Sequence, residues 1–156
     1  MNAAFHINED LKVAMKTGDS FRIDTLRMLN AALHNREIEK RGVGKNAELS
    51  DGDVIEVLSR EAKKRKEAAE AFRKGSRQDL VDKELRELAI ITAYLPAQLS
   101  EKELRVIVQK AIGEIGVTDA KDFGRVMGRL AKELKGRADG ATLAALVKER
   151  LSTLDS

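Results

Sequence analysis

Apolar residues in this chain recur three and four positions apart in run after run. Nowhere do they alternate with polar residues long enough to build a strand. That pattern restricts the fold to helices packed on helices, an all-α protein. Glycines and a single proline punctuate the runs. Gly18, Gly75, Gly116 and Gly136 each follow a periodic stretch, where a left-handed residue is expected to close a helix. Gly42 and Gly44 bracket a loop. Pro96 cannot continue a helix and disfavours helical geometry in Leu95 before it.

These signals predict seven helices. The first covers about residues 7–16. The second covers about 20–40, with Ile23, Leu26, Leu29 and Leu33 on one face. The third begins after Ser50, whose hydroxyl and Asp53 three residues on form a capping box, and ends near Lys74. The fourth runs over about 78–94, with Val81, Leu85, Leu88 and Leu95 at heptad-like spacing. Beyond Pro96, Ser100 and Glu103 repeat the capping box. The fifth helix buries Leu104, Ile107, Val108, Ala111, Ile112 and Ile115. Phe123, Val126, Met127, Leu130 and Leu134 make the apolar face of the sixth, and Leu143, Leu146, Val147, Leu151 and Leu154 that of the seventh. Three amphipathic helices can close a core of their own. The expected division is therefore an N-terminal long-helix domain, 1–96, and a C-terminal three-helix domain, 97–156.

Composition excludes several functions. No cysteine is present, so disulfides, thiolate metal sites and a cysteine nucleophile are ruled out. This suits a reducing cytoplasm, the expected compartment. The longest apolar run, residues 88–91, is far too short for a membrane span, and the first residues lack the pattern of a secretory signal. Aromatic residues are 3% of the chain, too few for a platform that stacks single-stranded bases. His6 and His34 are the only histidines, and a metal site needs more ligands than His34 with Glu37 can supply. None of the seven serines lies in a nucleophile elbow, and no glycine-rich phosphate loop or dinucleotide fingerprint occurs. No catalytic residue, metal or cofactor is expected.

The formal net charge is only +3, so a basic partner site has to be a local patch. Residues 60–77 carry eight basic against three acidic side chains. They read as a solvated helix face laced with ion pairs, or as a surface that tracks phosphates. On the sixth helix, Lys121, Arg125, Arg129 and Lys132 step by four, four and three, opposite the apolar face, with no acidic residue within the set. Gly124 and Gly128 flank this stripe. A glycine inside a helix costs about 0.8–1.0 kcal/mol relative to alanine. The pair therefore suggests another backbone coming close, either a neighbouring helix of the same lobe or an outside partner. The segment Lys135-Gly136-Arg137-Ala138-Asp139-Gly140 reads two ways. It could present amides, a helix N-terminus and two cations to an anion, or it could be a tight turn in which Asp139 caps the seventh helix.

Phe123-Gly124-Arg125-Val126-Met127-Gly128, the Lys135-to-Gly140 segment and Tyr94-Leu95-Pro96-Ala97-Gln98-Leu99-Ser100 together resemble the signature of the GatB/YqeY family. Leu26-Arg27-Met28-Leu29 and Asn35-Arg36-Glu37-Ile38 also resemble it, and the length matches its stand-alone YqeY-like members. The resemblance implies an N-terminal helical domain joined to a three-helix tail. In the larger members, which belong to glutamine-dependent tRNA amidotransferases, the tail region is associated with holding tRNA. Their ATP-using site lies in a larger domain that this chain lacks. The resemblance thus implies a tRNA contact surface at Gly124, Arg125, Gly128, Lys135, Gly136, Arg137 and Asp139. The basic stripe adds Lys121, Arg129 and Lys132. Arg125 stands where many members have lysine. The resulting expectation is a non-catalytic tRNA-binding or tRNA-linked accessory protein, with a tRNA-modifying or aminoacylation protein as a further partner and no membrane role. The competing readings are a helical protein-interaction module and a component of a carbon–nitrogen ligase with glutamine as amido donor.

Overall fold

The computed structural model describes residues 2–154. Among them lie seven α-helices and no strand. The chain divides into two compact units, Met1–Pro96 and Ala97–Ser156.

The first unit holds α1 (Ala3–Thr17), α2 (Ser20–Gly42), α3 (Asp51–Lys74) and α4 (Gln78–Thr92). α1 packs along α2, α3 packs along α4, and α2 bridges the two pairs. The core is aliphatic: Ile7, Leu26, Leu29, Leu58 and Ile91 are fully buried. Each such side chain contributes about 1.5–3 kcal/mol by leaving water. α3 starts where the sequence places it, because Ser50 and Asp53 bond each other's backbone N–H in a complete capping box. Asp53 also accepts from Lys40 Nζ at 2.7 Å, which ties the start of α3 to the end of α2.

Three sequence expectations in this unit need correction. Gly75 ends α3 at φ −84°, and the left-handed residue is Ser76, at φ +56°. Leu85 is 41% exposed, whereas Val81 and Ile91 are fully buried. The buried stripe of α4 follows the true helical period of 3.6 residues rather than a heptad, which leaves Leu85 at its edge. α4 itself stops at Thr92, two residues earlier than expected. The following turn is tightened by bonds from the Tyr94 and Leu95 amides to the Ile91 and Thr92 carbonyls, at 3.0 and 3.1 Å.

The second unit holds α5 (Glu101–Ile115), a single 3-10 turn (Ala120–Asp122), α6 (Phe123–Glu133) and α7 (Gly140–Leu154). Ser100 and Glu103 complete the second capping box, and Gly116 closes α5 at φ +76°. Val108, Val126, Leu130, Leu143, Val147 and Leu151 meet in the core from all three helices. The apolar faces expected for α5, α6 and α7 are the faces that pack, apart from Leu154, which is exposed.

Candidate nucleic-acid interface

α6 owes its orientation to Val126 and Leu130, both fully buried. With those residues turned inward, the helical period turns Gly124, Arg125, Gly128 and Lys132 outward, and all four lie on the solvent side. Lys121 belongs to the 3-10 turn before the helix, where its amide donates to Asp119 Oδ1 at 3.0 Å. It continues the exposed basic line across the junction, and exposed Lys135 follows it beyond the far end.

A Cβ built on Gly124 or Gly128 meets nothing within 4 Å. The close helix–helix approach inside the lobe, one of the two explanations offered by the sequence, is therefore absent. Both glycines leave helix backbone uncovered toward the outside.

The charges divide into two classes. Arg129 donates to Glu133 at 3.0 Å and to Glu114 of α5, so it clasps α6 to its neighbour. The Arg129 hydrogen bond lowers the Glu114 pKa below its ordinary value. Arg125 reaches Asp122 at 3.4 Å but remains 65% exposed, a geometry worth little. Lys121 and Lys132 make no ion pair among the described residues. The stripe that looks uninterrupted in sequence is thus partly neutralised in space: Lys121 and Lys132 keep their charge unpaired among the described residues, and Arg125 is held only by its exposed pair with Asp122.

The turn after α6 is a structural clasp. Gly136 sits at φ +79°, and its carbonyl accepts from Gln98 Nε2 at 2.6 Å. The Arg137 carbonyl accepts from the Leu99 amide at 2.9 Å, and Arg137 Nε donates to the Ala97 carbonyl at 3.1 Å. Asp139 accepts from the amide and hydroxyl of Thr142, both at 3.1 Å, which caps α7. A carboxylate of the chain itself therefore occupies the place an outside anion would take. Of the ten residues the sequence singles out, Lys121, Gly124, Arg125, Gly128, Lys132 and Lys135 share the open side of α6. Arg129, Gly136, Arg137 and Asp139 hold the unit together.

Residues 60–77 have the ion-paired character of a solvated face. Arg60 bonds Glu56 at 3.2 Å, Lys64 bonds Glu61 at 3.0 Å, Arg73 bonds Glu70 at 2.7 Å and Arg77 bonds Asp79 at 3.2 Å. Arg65 turns inward, between Glu61 at 2.6 Å and Glu87 at 3.0 Å. Sequence reasoning missed this Glu87 partner, which lies on another helix. It also missed Lys148, whose ammonium stands 5.5 Å from the centroid of the Phe123 ring. A second network joins Tyr94 Oη to Asp10 at 2.5 Å and to Arg22 at 3.3 Å. Burial, with the Asp10 carboxylate beside it, pushes the Tyr94 phenol well above its ordinary pKa. Among the described residues, no group of three metal-capable side chains converges and no helix is long and apolar enough to cross a membrane.

A family model described as Yqey-like protein matches residues 5–151. Curated relatives include "Altered inheritance of mitochondria protein 41, mitochondrial" from three fungi. The Eremothecium gossypii protein is 34% identical over 96 residues, which cover 62% of this chain and 50% of that protein. The Pyrenophora tritici-repentis protein is 28% identical over 136 residues, covering 85% and 71%. The Lachancea thermotolerans protein is 32% identical over 118 residues, covering 74% and 60%. The chain thus spans half to about seven tenths of the length of these relatives.

Proposed function

The chain belongs to the Yqey-like protein family, and from that premise we propose that it is a non-catalytic accessory protein that binds tRNA through the open side of α6. The observation that carries this reading is the pair of bare helix positions, Gly124 and Gly128, set among exposed Lys121, Arg125 and Lys132. Bare backbone lets a bulky polyanion approach the helix closely, and the flanking cations meet its phosphates. Phe123 is the only aromatic residue of the second unit, and Lys148 stands over its ring. Recognition therefore falls on the backbone and shape of folded RNA rather than on stacked bases.

The amidotransferase link follows from resemblance alone. In that setting the chain would present tRNA to a partner enzyme that carries out modification or aminoacylation, and would itself transfer no amide. Cytoplasm is the compartment we propose, on the strength of the cysteine-free composition. The relatives' names place those fungal proteins in the mitochondrion, and recovery of this chain in a mitochondrial fraction would overturn the cytoplasmic proposal.

Titration of bulk tRNA against the purified chain at rising salt tests the binding reading. Three neutralised phosphates give a slope of about −3 in log K against log salt, a loss of roughly 50-fold between about 50 and 200 mM. Binding that ignores salt would overturn the placement of phosphates on these cations, and absence of binding would bring the protein-interaction module to the front. Absence of binding even at the lowest salt would remove tRNA as the ligand.

A further inference from the structure

The open side of α6 has two halves. Phe123 and Met127 pack against the core, and the Lys148 ammonium of α7 stands 5.5 Å from the centroid of the Phe123 ring. This is the edge of α6 that faces α7. Arg129 marks the other edge, where it bonds Glu114 of α5. At 3.6 residues per turn, the open arc from the α7 edge to the α5 edge passes Gly124 and Gly128 first, then Lys132 and Arg125. The two bare glycines therefore lie between the cations of α6 and the helix that carries Lys148.

α7 leaves this gutter open. Ala144, one turn before Lys148 on the same face, is half-buried, and Ala141 before it is exposed. Neither side chain is long enough to cover the glycines, in keeping with the empty space around a Cβ at Gly124 or Gly128. Lys148 itself is exposed and makes no ion pair among the described residues. The face of the Phe123 ring steadies its ammonium at the α7 edge and leaves its charge uncancelled.

We propose that Lys148 is a further RNA contact, so that one sugar–phosphate strand lies over Gly124 and Gly128, with Lys148 on one flank and Arg125 and Lys132 on the other. This inference rests on the tRNA reading of α6, and adds to it a second helix and a path for the strand. A single row of cations meets the phosphate oxygens on one side of a strand only. Cations on both flanks meet those on either side.

The test is a titration of bulk tRNA against the full chain and its Lys148→Ala, Lys148→Arg and Lys83→Ala variants, between about 50 and 200 mM salt. Lys83 is an exposed lysine of α4, so its variant controls for the loss of one charge. Losing one phosphate contact flattens the slope of log K against log salt by about 0.9, so over that range the parent should lose about 3.5-fold more affinity than Lys148→Ala does. At the lowest salt Lys148→Ala should bind more weakly than the parent, while Lys148→Arg and Lys83→Ala bind as the parent does. A Lys148→Ala variant with the parent's affinity and slope overturns the inference; if binding falls in Arg125→Ala in the same series, the α6 reading still stands. Equal losses in Lys148→Ala and Lys83→Ala also overturn it, as a response to total charge. So does a Lys148→Arg variant as weak as Lys148→Ala, because charge would then not be the cause. No binding by the parent at the lowest salt overturns both readings together.

Discussion

Replacing Gly124 and Gly128 together by alanine should make the protein more stable while weakening its hold on tRNA. Both positions lie inside α6, and a Cβ at either meets nothing within 4 Å. Neither glycine sits at positive φ, so alanine fits the existing backbone. No steric cost offsets the helix propensity gained, which is about 0.8–1.0 kcal/mol per glycine, or about 1.6–2.0 kcal/mol for the pair. With a urea slope of about 1–2 kcal/mol per molar, the unfolding midpoint of the second unit should rise by about 1–2 M. Urea titration followed by circular dichroism measures this. A lowered midpoint would refute the reasoning, because it would mean that an unseen neighbour does pack against these glycines. The functional half of the prediction runs the other way: two methyl groups on the open side hold a phosphate backbone off the helix, so tRNA binding should fall in the same variant. Higher stability with unchanged binding would mean that the glycines serve no close approach.

Three further outcomes follow from the packing and the charges. Leu130→Ala, which empties a fully buried position between α5 and α7, should cost about 2–5 kcal/mol of stability in the same urea assay. Asp139→Ala removes the α7 cap and should cost about 0.5–2 kcal/mol, read as a lowered thermal midpoint. Asp53 has a pKa held far below the ordinary carboxylate value, chiefly by the hydrogen bond from Lys40 and then by those from Ser50. Its contribution is therefore fully present above the unfolded-state pKa of about 3.9 and is lost as pH falls from there toward the folded value. Acid unfolding of the wild type should steepen below that pH, and Asp53→Asn should flatten this limb; an unchanged acid limb in the variant would contradict the assignment.

What could be read in the sequence is what local chemistry decides. Ser50 with Asp53 and Ser100 with Glu103 fix two helix starts, because a capping box needs only four consecutive residues. The buried faces of α5, α6 and α7 follow from a period that tertiary structure leaves intact. Gly75 and Leu85 depart from the reading for different reasons. The chain can place its left-handed residue one position later, at Ser76, and a heptad template drifts from 3.6 residues per turn. The charge pattern was the least legible feature. Glu114 lies fifteen residues before Arg129, and Ala97 lies forty before Arg137, so nothing local announces that these groups meet.

The most direct test of the central claim is tRNA binding by a Lys121→Ala/Arg125→Ala/Lys132→Ala variant at low salt. A variant with three lysines of α3 replaced instead (Lys63→Ala/Lys66→Ala/Lys74→Ala) removes the same charge elsewhere and serves as the control. Both sets lie at exposed positions, so both variants should keep the helical circular dichroism of the parent. The account predicts that the α6 variant loses most of its affinity and the salt dependence that goes with it, while the α3 variant binds nearly as the parent does. Equal binding by the two variants would show that tRNA responds only to total charge, and would contradict the placement of the site on α6.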